Sequence, residues 1–211
     1  MKLRKVLCFM LLILCISLGV SLTMKANIGI GAYDAVSQSI SALSLIPVGT
    51  VMMCSNLLCV FAELLILKKN FKFKHVLQIV LSILLGYLIN FFYYDLLGNL
   101  VVDNYFLRLI LLIVGYTINA FVVAGIMLLD IVTFPLEGVC KAISDQFHID
   151  FSKLRQVADI LSVCVVFVLW FIFDIELYVR EGTVIGMLLF GPLIGLFMKI
   201  LDPLLKKYNL N

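Results

Sequence analysis

Six long apolar stretches, separated by short polar segments, dominate the pattern of hydrophobic and polar positions along the chain. They cover roughly residues 6–24, 48–67, 76–94, 109–129, 154–173 and 183–201. Each holds about 20 residues, the length that an α-helix needs to cross a hydrocarbon core of ~30 Å. The pattern predicts an all-α, polytopic membrane protein with six transmembrane helices in one transmembrane domain over 1–211.

Two further segments are neither spans nor ordinary loops. Asn27 to Leu45 and Asp130 to Phe147 each open with a Gly- or Pro-containing break and continue as a short amphipathic helix. About 13 helical residues reach only ~20 Å, too short to cross a bilayer. The predicted apolar faces consist of Tyr33, Val36, Ile40 and Leu43 in the first helix, and Leu136, Val139, Ile143 and Phe147 in the second.

The two halves of the chain align without a gap at an offset of 103 residues. The aligned polar pairs are Asn27 with Asp130, Asp34 with Glu137, and Asn56 with Asp159. Each half has the order span, broken short helix, span, span, so repeat one covers about 6–95 and repeat two about 106–203. Because three spans is an odd number, we expect the second repeat to be inverted in the membrane. Inverted repeats with broken helices are typical of secondary transporters, whose site lies between the repeats.

The distribution of Lys and Arg predicts the orientation. Thirteen of the sixteen basic residues fall on the side of the N-terminus, and the other side holds Lys25, Arg108 and Arg180. Cytoplasmic loops carry such an excess of positive charge, so both termini are predicted to be cytoplasmic. Residues 1–24 resemble a signal peptide, but no cleavage motif follows them, and we expect them to remain as the first span.

Composition narrows the function classes. Apolar residues make up 64% and charged residues 14% of the chain, against about 25% charged in soluble domains, so no segment remains for a soluble catalytic domain. Basic residues are scattered at helix ends, which favours a lipid bilayer and not a nucleic acid as partner. The six cysteines form no CxxC pair, and neither a disulfide framework, a metal nor a cofactor is expected.

A family resemblance adds to these patterns. The stretch GVSLTMKANIGIGAYDAVSQSIS, followed by Val48-Gly49-Thr50, resembles the YczE/YyaS/YitT family of bacterial membrane proteins. The shared features are Gly19, Ala26, Gly29 and Ala32-Tyr33-Asp34, echoed in the second half by Phe134-Pro135-Leu136-Glu137. The usual Pro near Asp34 is absent. The resemblance implies a multi-pass protein of the bacterial cytoplasmic membrane whose activity is poorly defined. It supplies no substrate.

Ionisable groups at membrane depth are costly and usually face the protein interior. The candidate substrate-binding residues are Asp34, Asn56, Glu137, Asp159, Asn27 and Asn119. Structural alternatives stay open for most of them. Asp34 and Glu137 could instead stabilise helix N-termini, and Asn56 and Asn119 could form hydrogen bonds between helices. Asp159 could pair with Arg155, four residues earlier on the same helix.

The remaining polar residues suggest no catalytic centre. Glu63 is expected to reach the cytoplasmic interface near Lys68, and His75 and His148 lie far apart without metal-ligand spacing. HExxH, GxSxG and P-loop motifs are absent, so we expect no enzyme. The favoured function is a small secondary transporter or channel for an unidentified solute. The alternatives are a substrate-capture subunit of an ATP-driven transporter, and a non-transporting scaffold or assembly factor. Oligomeric state and partner subunits are left open.

Overall fold

A computed structural model describes residues 2–129 and 131–207, with side chains from Lys5 to Lys206. Every regular element within those residues is helical. The helices are α1 Lys2–Ala26, α2 Ala32–Ser44, α3 Val48–Leu67, α4 Phe73–Asn90, α5 Tyr105–Leu129, α6 Pro135–Phe147, α7 Phe151–Phe173 and α8 Glu181–Lys207. A 3₁₀ turn, Lys68–Asn70, continues α3, and a π-helical turn, Phe91–Leu96, continues α4.

Six of these helices are long and apolar enough to cross a membrane, namely α1, α3, α4, α5, α7 and α8. Each overlaps one predicted stretch, so the all-α class and six helices compatible with a multi-pass membrane protein are confirmed. Helix α8 contains Pro192 and Pro203 in its interior. Each proline lacks the N–H that would bond to a carbonyl one turn earlier.

The two short helices were also predicted, and the structure shows which of their side chains are buried. Helices α2 and α6 each have 13 residues. The buried side chains are small ones: Ala32, Ala35, Ser37 and Ser39 in α2, and Pro135, Gly138, Cys140 and Ala142 in α6. On the predicted apolar faces, Ile40 and Phe147 are exposed. Small side chains let the helix backbones approach closely, whereas bulky apolar groups remain compatible with lipid.

Element boundaries recur at the offset seen in the sequence. Helices α1 and α5 differ by 103 residues at both ends, as do α2 and α6, and α3 and α7 begin 103 residues apart. The four buried positions of α2 correspond one by one to those of α6 at the same offset. Asp130, the predicted counterpart of Asn27, lies outside the described residues.

The fold divides into two compact units, and both halves of the chain contribute to each. Unit 1 consists of 1–30, 88–131 and 180–211, and unit 2 of 31–87 and 132–179. In unit 1, α5 packs against both α1 and α8. Tyr116 anchors the second contact, since its hydroxyl donates to Gly182 O at 3.2 Å and its ring lies against Gly186.

In unit 2, the short helices pack against long helices of the other half. Helix α2 lies on α7, and α6 lies on α3, with further contacts between α2 and α3 and between α6 and α7. Asp150 is the N-cap of α7, because its side chain accepts hydrogen bonds from the backbone N–H groups of Ser152 and Lys153. This arrangement brings the N-terminal turns of α2 and α6 to the polar positions of α3 and α7.

Candidate functional site

The site begins with two carboxylates at equivalent helix positions. Asp34 and Glu137 lie in the first turns of α2 and α6, three residues after Gly31 and Phe134. In each helix the first backbone hydrogen bond is accepted by the carbonyl of the residue before the helix. Ala35 N donates to Gly31 O at 2.8 Å, and Gly138 N donates to Phe134 O at 2.8 Å. The carboxylates therefore adjoin helix N-termini, where the helix dipole favours negative charge.

Arg155 of α7 joins the acidic groups. Its Nε lies 3.4 Å from Glu137 Oε1, and its Nη1 donates to Asp159 Oδ1 on the next turn. The Arg155, Glu137 and Asp159 side chains are about one third exposed, at 30%, 35% and 26%. The Arg155–Asp159 pair left open by the sequence is present, but Arg155 also reaches α6. The pair is a contact within α7 and also part of a larger cluster.

Asp34 shares the same electrostatic environment. Burial, opposed by the attraction of Arg155 and assisted by the negative charges of Glu137 and Asp159, raises the pKa of its carboxyl to about 7. The pKa of Glu137 is likewise raised by burial, against the attraction of Arg155 and a bond from its own backbone N–H. Three carboxyl groups thus face one guanidinium, and the cluster carries excess negative charge when all of them are ionised.

A neutral hydrogen-bonding group borders the acids. The Tyr33 hydroxyl donates to Asn56 Oδ1 at 3.3 Å and lies 3.5 Å from Cys59 Sγ. Burial and Cys59 raise the pKa of Tyr33, with smaller contributions from Asp34 and Glu137, so the phenol stays protonated. Asn56 therefore does form a bond between helices, as its structural alternative proposed. That bond places it beside the charged cluster.

Four of the six predicted site residues meet in unit 2: Asp34, Asn56, Glu137 and Asp159. The other two lie in unit 1. Asn27 adopts a left-handed conformation at the end of α1, with φ of 50°, and its carbonyl accepts a bond from Arg180 Nη1 at 3.3 Å. Asn119 is buried on α5 against Gly19, and its Oδ1 has no partner among the described residues.

The expectation for Glu63 is wrong. Its side chain is 3% exposed, and Oε1 lies 2.8 Å from His75 Nδ1, so it does not reach the interface near Lys68. The contact between Glu63 and His75 was not predicted from the sequence. Twelve residues and a helix break separate Glu63 from His75, and no helical spacing could have indicated the contact.

Sequence reasoning also missed Tyr33 as a polar group of the site, because it was assigned to an apolar face. Its place directly before Asp34 at a helix start was the available signal. Taken together, the side chains can hold a positively charged group against carboxylates and donate a hydrogen bond from a phenol. Asp34 can also exchange a proton near neutral pH.

The chain belongs to DUF6198, a family of unknown function, whose model matches residues 3–199. No curated protein and no solved structure matches the chain. The family description does not carry the name YczE/YyaS/YitT, and that resemblance stays a prediction.

Proposed function

Since membership of this family supplies no activity, we propose from the site that the protein is a small secondary transporter or channel. The solute would bind to the acidic cluster of unit 2, formed by Asp34, Asn56, Glu137 and Asp159 with Arg155 among them. The observation that carries the proposal is the convergence of these groups from both halves of the chain at one place. Ionisable groups kept together between apolar helices are expensive unless they serve a pathway or a binding site.

The inverted-repeat architecture belongs to the same proposal. The recurrence of helix boundaries and buried positions at an offset of 103 residues supports two repeats. Each repeat has three long helices and one short helix, so the second enters the membrane in the opposite sense. The exchange of partners, α2 on α7 and α6 on α3, is what a twofold relation between repeats would produce. Rocking of one repeat against the other would then alternate access to the cluster.

The charge of the cluster favours a cationic or proton-exchanging solute. Three carboxyl groups face one guanidinium, so an added anion would be repelled, whereas an added cation or proton reduces the excess charge. The proposed location is the bacterial cytoplasmic membrane with both termini inside, supported by the basic residues between α3 and α4 and around α6.

Asp159→Asn tests this proposal. The protein is reconstituted in liposomes on a solid support, and charge movement is recorded on rapid addition of a panel of small organic cations, with and without a pH gradient. We expect wild type to respond to at least one solute and D159N to lose at least 90% of that response (about tenfold, or ~1.4 kcal/mol). Both variants should elute as folded protein.

Asp145→Asn is the matched control. Asp145 pairs with Lys141 at 3.3 Å on the exposed face of α6, at 62% exposure, and its loss should leave the response unchanged. Unaltered transport by D159N, together with transport by wild type, would end the assignment of this site. No response to any solute would favour the alternatives. Co-purification of an ATPase would then indicate a substrate-capture subunit of an ATP-driven transporter. If the protein neither responds to a solute nor co-purifies with an ATPase, the scaffold or assembly factor remains.

A further inference from the structure

A second polar group lies inside unit 2, and the site described above does not use it. Glu63 of α3, with His75 and Gln78 of α4, forms a cluster against Gly138 of α6. Glu63 and Gln78 are 2% and 1% exposed, so both side chains are withdrawn from solvent. His75 is the more accessible member, with its side chain 12% exposed and Phe71 stacked on its ring.

The glycine explains why these groups can meet. A Cβ atom added at Gly138 would lie 3.0 Å from both carboxylate oxygens of Glu63 and 2.9 Å from Gln78 Nε2. The carboxylate and the amide therefore converge on one point of the α6 backbone. Any larger residue at 138 would displace them.

The cluster has too many acceptors and too few donors. His75 Nδ1 satisfies Glu63 Oε1 at 2.8 Å, but Glu63 Oε2 and Gln78 Oε1 are buried and have no partner among the described side chains. A buried acceptor without a donor costs about 1–3 kcal/mol, and more when it is charged. One proton on Glu63 would neutralise the buried carboxylate, so its unpartnered Oε2 would no longer carry charge.

We propose that Glu63 is a buried proton-binding site, with His75 as the group through which the proton exchanges with solvent. One proton from bulk water adds to Nε2 of the His75 ring as the Nδ1–H proton passes to Glu63 Oε1 at 2.8 Å, so the ring still carries one proton and the carboxyl becomes neutral. Release of that proton returns the ionised carboxylate. The site stands independently of the acidic cluster, because it needs no solute and no transport.

No Lys or Arg among the described residues forms an ion pair with Glu63. Cys59, one turn earlier on α3, interacts with it electrostatically, and from α6 the facing residue is Gly138. Glu137, next to Gly138, is engaged with Arg155. A proton also fits where a metal ion lacks ligands, because no group of three or more His, Cys, Asp or Glu side chains that could hold a metal occurs among the described residues.

Infrared difference spectroscopy of the full-length protein in liposomes tests the assignment. Spectra of wild type and Glu63→Gln are recorded across a pH titration in water and deuterium oxide. At about pH 7, where exposed carboxylates are ionised, we expect wild type to show a carboxylic acid carbonyl band that shifts on deuteration, and E63Q to lack the intensity of one such group. Glu181→Gln, which removes an exposed carboxylate paired with Arg180, should retain the full band. An unchanged band in E63Q would overturn the proposal.

Two further measurements test the proposal if E63Q does not fold. Gly138→Ala should shift the carbonyl frequency, because the new methyl group pushes on the carboxyl oxygens. Gly195→Ala should not, because nothing lies within 4 Å of that position. The first titration uses choline as the buffer cation. When the wild-type titration is repeated with sodium in its place, the band should be unaltered. Loss of the band on adding sodium would instead assign a metal-ion site and refute proton binding.

Discussion

Replacement of Asp34 by Asn tests the electrostatic description of the site through stability alone. Asp34 has a pKa raised from 3.8 to about 7 by burial and by Glu137 and Asp159, with the attraction of Arg155 already included. A group whose pKa is raised on folding stabilises the folded state in its protonated form. That contribution is complete below about pH 4. It is lost as the pH rises to about 7, because the unfolded chain ionises first.

The magnitude follows from the same pKa. Each pKa unit corresponds to about 1.4 kcal/mol, so the rise from 3.8 to about 7 would destabilise the folded state by about 4 kcal/mol above neutral pH. Asp34 is only partly buried, and solvent screening reduces this to about 2 kcal/mol. Asn keeps the size of the side chain and cannot ionise. D34N should therefore be more stable than wild type by about 2 kcal/mol at high pH, and equally stable at low pH.

Thermal unfolding in detergent, followed by circular dichroism, measures the difference. For a chain of this size about 2 kcal/mol corresponds to a Tm difference of about 4–8 °C. We expect that difference at about pH 8 and none at about pH 4. Asp145→Asn, at an exposed position, should show no pH-dependent gain. If D34N is less stable than wild type at both pH values, the carboxylate is a favourable helix-terminus charge and the reasoning fails.

Two further predictions concern packing and charge. Arg155→Gln leaves three carboxyl groups without their cation and should destabilise the protein by about 1–3 kcal/mol, more at high pH than at low pH. An equal loss of thermal stability at both pH values would contradict the charge cluster. Gly19→Ala places a methyl group 3.0 Å from Asn119 Cγ and should destabilise by about 1–3 kcal/mol in chemical unfolding. Gly191→Ala, with no atom within 4 Å, should be neutral or slightly stabilising. Equal stability of the two variants would refute close packing at Gly19.

Four of the six candidate site residues named from the sequence lie together in unit 2. Asp34 and Glu137 were identified from their place at helix starts, and Asn56 and Asp159 from their depth in apolar helices. The contact between Arg155 and Glu137 was not, because it joins two helices whose relative rotation depends on packing. Tyr33 illustrates the same point. On its helix it belongs to an apolar stripe, but across the interface its hydroxyl meets Asn56.

The short helices show that small side chains, and not the bulky apolar ones, form the buried contacts. The apolar faces predicted for α2 and α6 include Ile40 and Phe147, which are exposed. The buried positions hold residues such as Ala35 and Gly138, because small side chains let helix backbones approach closely.

The sequence by itself determined the all-helical class, the six long apolar helices, the two short ones and the spacing that relates the halves. These properties depend on local chain length, hydropathy and helix breaks, all of which are written along the chain. The tertiary structure alone decided which side chains meet across helices: Arg155 between Glu137 and Asp159, and Glu63 with His75 over Gly138. Such contacts depend on how helix faces pack against one another in three dimensions, and no periodicity within one helix encodes that choice.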